Sequence, residues 1–133
     1  MAETSGVYEG TSNVSDAMKF KEKTFNGTFT TTASYVTELD INVRAFNGLK
    51  GLSIKNTDGA GDTMYYKVLG TYKEGDDWPA STNDEVEIAA ETSLADGEVF
   101  KTLIAEPYTW IRVQVKNNSG VATGTIQFRG LSA

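Results

Sequence analysis

The chain contains no cysteine and no histidine. The first absence excludes disulfides, thiolate nucleophiles and thiolate-bound zinc. The second excludes imidazole metal ligands and every catalytic triad built on an imidazole base. Proline is scarce, with 2 residues in 133, so no proline-rich linker divides the chain, and that length suits one core rather than two. No stretch approaches the ~18 consecutive apolar residues of a membrane-spanning helix, so no membrane partner is expected. Met1 to Gly10 has neither a basic region nor an apolar run, and no secretory signal is read there. Synthesis in a host cytoplasm is expected, with any export by another route. Positive charge is also in short supply. Twelve Lys and Arg face 18 Asp and Glu, a net charge of -6, which repels phosphate backbones and argues against a nucleic-acid partner.

What the chain does hold points to strands. It has 17 Thr, 10 Val and 13 Gly; the first two are β-branched strand formers and the third supplies turns. The acid is unevenly placed. Ten carboxylates and one base, Lys101, lie between Glu74 and Glu106, while the rest of the chain carries eight acids against eleven bases. A flank of that kind is either a solubilising face or one that steers toward a basic partner.

Residues 1–17 are polar and show no period of 2 or 3.6, which reads as an extended arm or tail. The domain is expected over residues 18–133. Met18 to Phe25 alternates weakly, and Asn26-Gly27 carries a hairpin signal. Phe29 to Ser34 reads as a Thr-rich strand. Glu38 to Ala45 alternates cleanly, with Leu39, Ile41, Val43 and Ala45 inward, and Phe46-Asn47-Gly48 looks like a second hairpin turn. Further strands are expected at Gly51–Lys55, Met64–Tyr72 (Met64, Tyr66, Val68 and Tyr72 on one face), Val86–Glu91, Glu98–Ile104, Tyr108–Lys116 and Thr123–Arg129. Eight or nine strands at this spacing, with no helical period, predict an all-β, two-sheet antiparallel β-sandwich of jelly-roll type. A closed barrel is the second choice.

Three constellations invite chemistry. Asp58-Gly59-Ala60-Gly61-Asp62 lacks the third glycine and the Gly-Lys-Ser/Thr of phosphate loops, and it lacks the terminal Glu of a calcium hand. It reads as a turn, or as a structural cation site. Glu74-Gly75-Asp76-Asp77-Trp78 bunches carboxylates in a loop; glycoside hydrolysis needs them on opposed, rigid walls, so a solvated loop or a calcium site fits better. Tyr65, Tyr72, Trp78, Tyr108 and Trp110 are candidates for a sugar-stacking platform, a subunit contact or ordinary packing. Tyr108 and Trp110 alternate with Ile111 and Val113 and are expected on the outward face. No Ser-x-x-Lys spacing occurs. No catalytic residues, cofactor or metal ligands are assigned. The candidate interface residues are Val7, Tyr8 and Val14 in the arm and Trp78, Tyr108 and Trp110 in the domain.

The segments Gly51-Leu52-Ser53-Ile54-Lys55-Asn56, Tyr108 through Lys116 and Gly124-Thr125-Ile126-Gln127-Phe128 resemble jelly-roll capsid decoration (cement) proteins of tailed phages and related archaeal viruses. The likeness covers residues 36–130. It implies a non-enzymatic virion protein on the capsid surface, binding the major capsid protein of a preformed shell and self-associating as a homotrimer. The alternatives left open are a carbohydrate-binding or adhesin module and another virion component such as a tail or fibre part.

Overall fold

The computed structural model describes residues 22–46, 48–118 and 120–131. Their strands are β1 (Glu22–Thr30), β2 (Val36–Asn42), β3 (Lys50–Asn56), β4 (Met64–Thr71), β5 (Glu85–Leu94), β6 (Val99–Ile104), β7 (Trp110–Lys116) and β8 (Thr123–Leu131). A three-residue 3-10 turn, Thr82–Asp84, precedes β5. One sheet has the order β1-β8-β3-β6 and the other β2-β7-β4-β5. Every pairing is antiparallel. Only β4 and β5 are consecutive strands within one sheet; each other connection carries the chain across to the opposite sheet. This interleaving is the jelly-roll arrangement expected from the sequence.

Alternation sets the core. In β7, Ile111, Val113 and Val115 are fully buried while Trp110, Arg112, Gln114 and Lys116 face out. In β8, Ile126 and Phe128 point in and Gln127 and Arg129 point out. They meet Leu39 and Ile41 of β2, Leu52 and Ile54 of β3, and Met64, Tyr66 and Val68 of β4 between the sheets. Each such side chain contributes about 1.5–3 kcal/mol by leaving water.

Several local expectations are corrected. Asn26-Gly27 makes no hairpin: Asn26 pairs with Gln127 and Gly27 with Ile126 inside an uninterrupted β1. A partner strand of nine residues outweighs the turn propensity, and Gly27 serves instead to let the Phe25 ring fold across it. The separate strand expected over Phe29 to Ser34 is the end of β1 followed by a loop. The connection around Phe46 and Gly48 joins β2 to β3 in different sheets, so it is a crossover rather than a hairpin. Ala45 is exposed, beyond the end of β2, and Tyr72 lies beyond β4 with half its surface exposed, at 49%. The arm residues and the 17/18 boundary lie outside the described residues.

The part of the acidic stretch from Glu85 to Glu98 occupies one flank. β5 and β6 are the edge strands of their two sheets and are joined by a short turn at residues 95–98. The carboxylates from Glu85 to Glu98 therefore gather along the same side of the sandwich.

Candidate interaction surfaces

The loop between β4 and β5 folds back onto the outer face of the second sheet. Trp110 Nε1 donates to the Gly75 carbonyl at 3.1 Å, and Trp78 Nε1 donates to the Glu85 carboxylate at 3.0 Å. The Arg112 guanidinium lies over the Trp78 ring, 4.5 Å from its centre, and grips Asp40 of β2 through two hydrogen bonds of 2.7 Å. The structure thus brings Trp78 and Trp110 together as fasteners of one loop, each half-buried. Tyr108 is not outward: it precedes β7, is 6% exposed, rests on Gly70 and stacks with Tyr72 at 4.8 Å. The chain has not yet entered the strand at Tyr108, so strand parity does not apply to it. The five aromatics form no common platform. Val7, Tyr8 and Val14 lie outside the described residues.

Farther along that face, Tyr35 donates to Glu91 at 2.5 Å while Lys67 and Lys116 sit over its ring at 4.4 and 4.9 Å. Burial and then the Glu91 carboxylate push the Tyr35 hydroxyl's pKa up; the same hydrogen bond, aided by Lys116, holds Glu91 below its usual range. A raised tyrosine contributes stability below its unfolded value of about 10 and loses it above; a depressed Glu contributes above about 4.3 and loses it below. Tyr35→Phe is therefore expected to lower the melting temperature by a few degrees between those limits. The difference from the parent should shrink in strong acid and above about pH 10. Thermal melts across pH check this, and a deficit independent of pH would refute the coupling.

The Asp loop uses its carboxylates on its own backbone. Asp96 accepts from the amides of Gly59 and Gly61, both at 2.9 Å, and Asp58 accepts from Ala60 and Asp62. Asn56, fully buried, donates to the carbonyls of Asp62 and Leu94. Those contacts fasten the loop to the β5–β6 turn. Among the described residues no group of three or more Asp or Glu could hold a metal ion. In the other acidic loop, Arg44 pairs with Glu74 at 3.1 Å and Lys73 with Asp84 at 3.3 Å, exposed pairs that add little.

The surface that residue reading missed is the outer face of the first sheet. Register aligns two rows across all four strands: Thr24, Arg129, Gly51 and Leu103, then Asn26, Gln127, Ser53 and Lys101. The smallest side chains fall on β3, flanked by long ones on β8 and β6. The result is an open groove of about 640 Å³ with Gly51 and Ser53 as its floor. Leu103 is 71% exposed on its wall and Val99 is exposed one row on. A sequence signal existed: β6 reads Val-Phe-Lys-Thr-Leu-Ile, apolar at both parities, which leaves apolar residues on each face.

No family model matches the chain, and no curated protein matches it. Among solved structures, PirA shares the fold at 12% identity, over 77% of this chain and 90% of that one, with a TM-score of 0.51. Looser likenesses include a Bacillus endospore appendage protein, from a family described as disulfide-linked pili (8% identity, 86% and 89% covered, TM-score 0.46). Another is YomS, derived from the SPBc2 prophage (17% identity, 83% and 96% covered, TM-score 0.45). These likenesses concern the fold alone.

Proposed function

We propose that this protein is a non-enzymatic structural component of a virus particle, a capsid decoration protein. It binds the major capsid protein outside the head shell, associates with its own copies, as a homotrimer, and braces joints between capsid subunits. The observation that carries the reading is a two-sheet body whose edge strand β1 lies downstream of the polar segment 1–17. A segment of that length reaches roughly 55 Å when extended. A strand-like arm adds backbone hydrogen bonds to a neighbour, and many weak copies sum through multivalency. The acidic flank of β5 and β6 supplies steering toward basic patches.

Deleting residues 1–17 tests this. All described strands begin at or after Glu22, so the truncated protein is expected to remain folded. Its occupancy on shells assembled from the capsid protein of the same genome should fall by about tenfold or more, a loss of about 1.4 kcal/mol per site. Sedimentation with shells reads the result, and full occupancy would refute the reading.

A further inference from the structure

The groove on the outer face of the first sheet has a floor, walls and a charge, and no described segment fills it. We infer that it receives residues 1–16 of a second copy of this chain. This inference rests on the proposed role, for which it supplies the contact between copies.

The groove follows β3. Its floor is Gly51 and Ser53; Leu103 and Lys101 of β6 form one wall, and Arg129 and Gln127 of β8 the other. Arg129 is held by Glu22, whereas Lys101 is exposed and makes no ion pair with any described residue. The site thus offers an exposed apolar wall beside a free cation, over a floor low enough for a ring to settle. Residues 1–16 complement it. They contain Glu3, Glu9 and Asp16 and no Lys or Arg, and Val7-Tyr8-Glu9 sets their one aromatic ring beside a carboxylate. With Tyr8 over Gly51 and against Leu103, Glu9 stands about 3.3 Å further along an extended segment with its side chain turned to the outer side, where the long, exposed Lys101 side chain one row on can reach up to it.

The segment belongs to a second copy because of how β1 begins. Reaching its own groove, the chain must reverse just before Glu22, over the Glu22–Arg129 pair. Residues 17–23 read Ala-Met-Lys-Phe-Lys-Glu-Lys and contain no Gly, Pro, Asn or Asp to form a tight turn. The turn formers nearest upstream are Asp16, Asn13 and Gly10, inside the segment to be bound. A segment that enters β1 without a tight turn would meet the groove of a neighbouring copy rather than its own.

Charge exchange in the full-length protein tests the contact. Lys101→Glu and Glu9→Lys are each expected to weaken self-association at least about tenfold in sedimentation equilibrium without particles, and the double variant to restore it. Both positions are surface ones by exposure or sequence, and circular dichroism checks that each variant folds. In parallel, Tyr8→Cys with Ser53→Cys, in a chain otherwise free of cysteine, is oxidised from a mixture of isotopically light and heavy copies. Mixed-mass disulfides between residues 8 and 53 are expected. A parent that stays monomeric, single variants that associate like the parent, or disulfides confined to one copy would each overturn the inference. Particle binding is measured separately, so a parent that stays monomeric yet decorates shells would remove the groove contact and leave the decoration role standing.

Discussion

Gly124→Ala is expected to destabilise the domain by about 3 kcal/mol, at the upper end of overpacking effects, and to lower its melting temperature by roughly 10 °C. Gly124 lies in β8 between Phe29 of β1 and Asn56 of β3. A Cβ at this position would stand 2.4 Å from Phe29 Cζ and 2.7 Å from the Lys55 carbonyl oxygen. The ring can swing away; the carbonyl is fixed by the β3–β8 ladder and cannot. Phe29→Leu added to Gly124→Ala should therefore recover part of the loss and not all of it. Gly51→Ala is the internal control. Gly51 is on the outward face of β3 in the same sheet, and a Cβ there meets nothing closer than the Arg129 carbonyl oxygen at 4.0 Å. Its expected effect is neutral to about 0.5 kcal/mol stabilising, because glycine in a strand carries excess unfolded-state entropy. Chemical denaturation of the four proteins reads these values. A Gly124→Ala protein as stable as the parent would mean that β1 and β3 shift against β8 within their sheet far more freely than the ladder implies.

The contrast between these two glycines marks what was legible in the sequence. The sandwich was legible because Leu39, Ile41 and Val43, or Ile111, Val113 and Val115, carry a period of 2 that any half-buried strand must show. Pairing was not legible, since it is decided by partners far along the chain. Asn26-Gly27 has the local chemistry of a turn and sits in mid-strand because β8 lies beside it. Tyr108 shares the parity of outward residues and is buried because the backbone enters β7 only at Trp110 and Gly70 leaves room for its ring. Trp78 was visible as a candidate, and its partners Arg112 and Asp40 were not, being brought together by the β2–β7 pairing. The groove depends on the same long-range register: Gly51 and Ser53 become a floor only once β8 and β6 are known to flank them.

Lys50 is a further residue whose role the sequence concealed, and replacing it is expected to have the second largest effect. It opens β3, is fully buried, and donates from Nζ to the carbonyls of Phe46 at 3.0 Å and Gly48 at 3.1 Å. No described carboxylate pairs with it, and burial pulls its pKa below the usual lysine value. Two effects oppose each other in Lys50→Met. Methionine removes a buried ammonium, which is favourable, and strands two carbonyls of the β2–β3 crossover, each costing about 1–3 kcal/mol. The carbonyls prevail, because between Ala45 and Leu49 the described anchors are few: the Phe46 amide to Val43, and the Gly48 amide and Leu49 carbonyl to Leu131. Lys50→Met is expected to lose about 2 kcal/mol near neutral pH. The sign of its pH dependence then separates the two effects. A lysine whose folded pKa is depressed gains stability as pH rises from that value toward about 10.5, since the unfolded chain holds the extra proton. Methionine has no such gain, so the deficit of Lys50→Met should widen toward alkaline pH. Contributions from Tyr35 and the other tyrosines are common to both proteins and cancel in the difference. A variant more stable than the parent at neutral pH would show that the ammonium is a burden the crossover merely tolerates. A deficit unchanged with pH would mean that Lys50 pays no desolvation penalty where it sits.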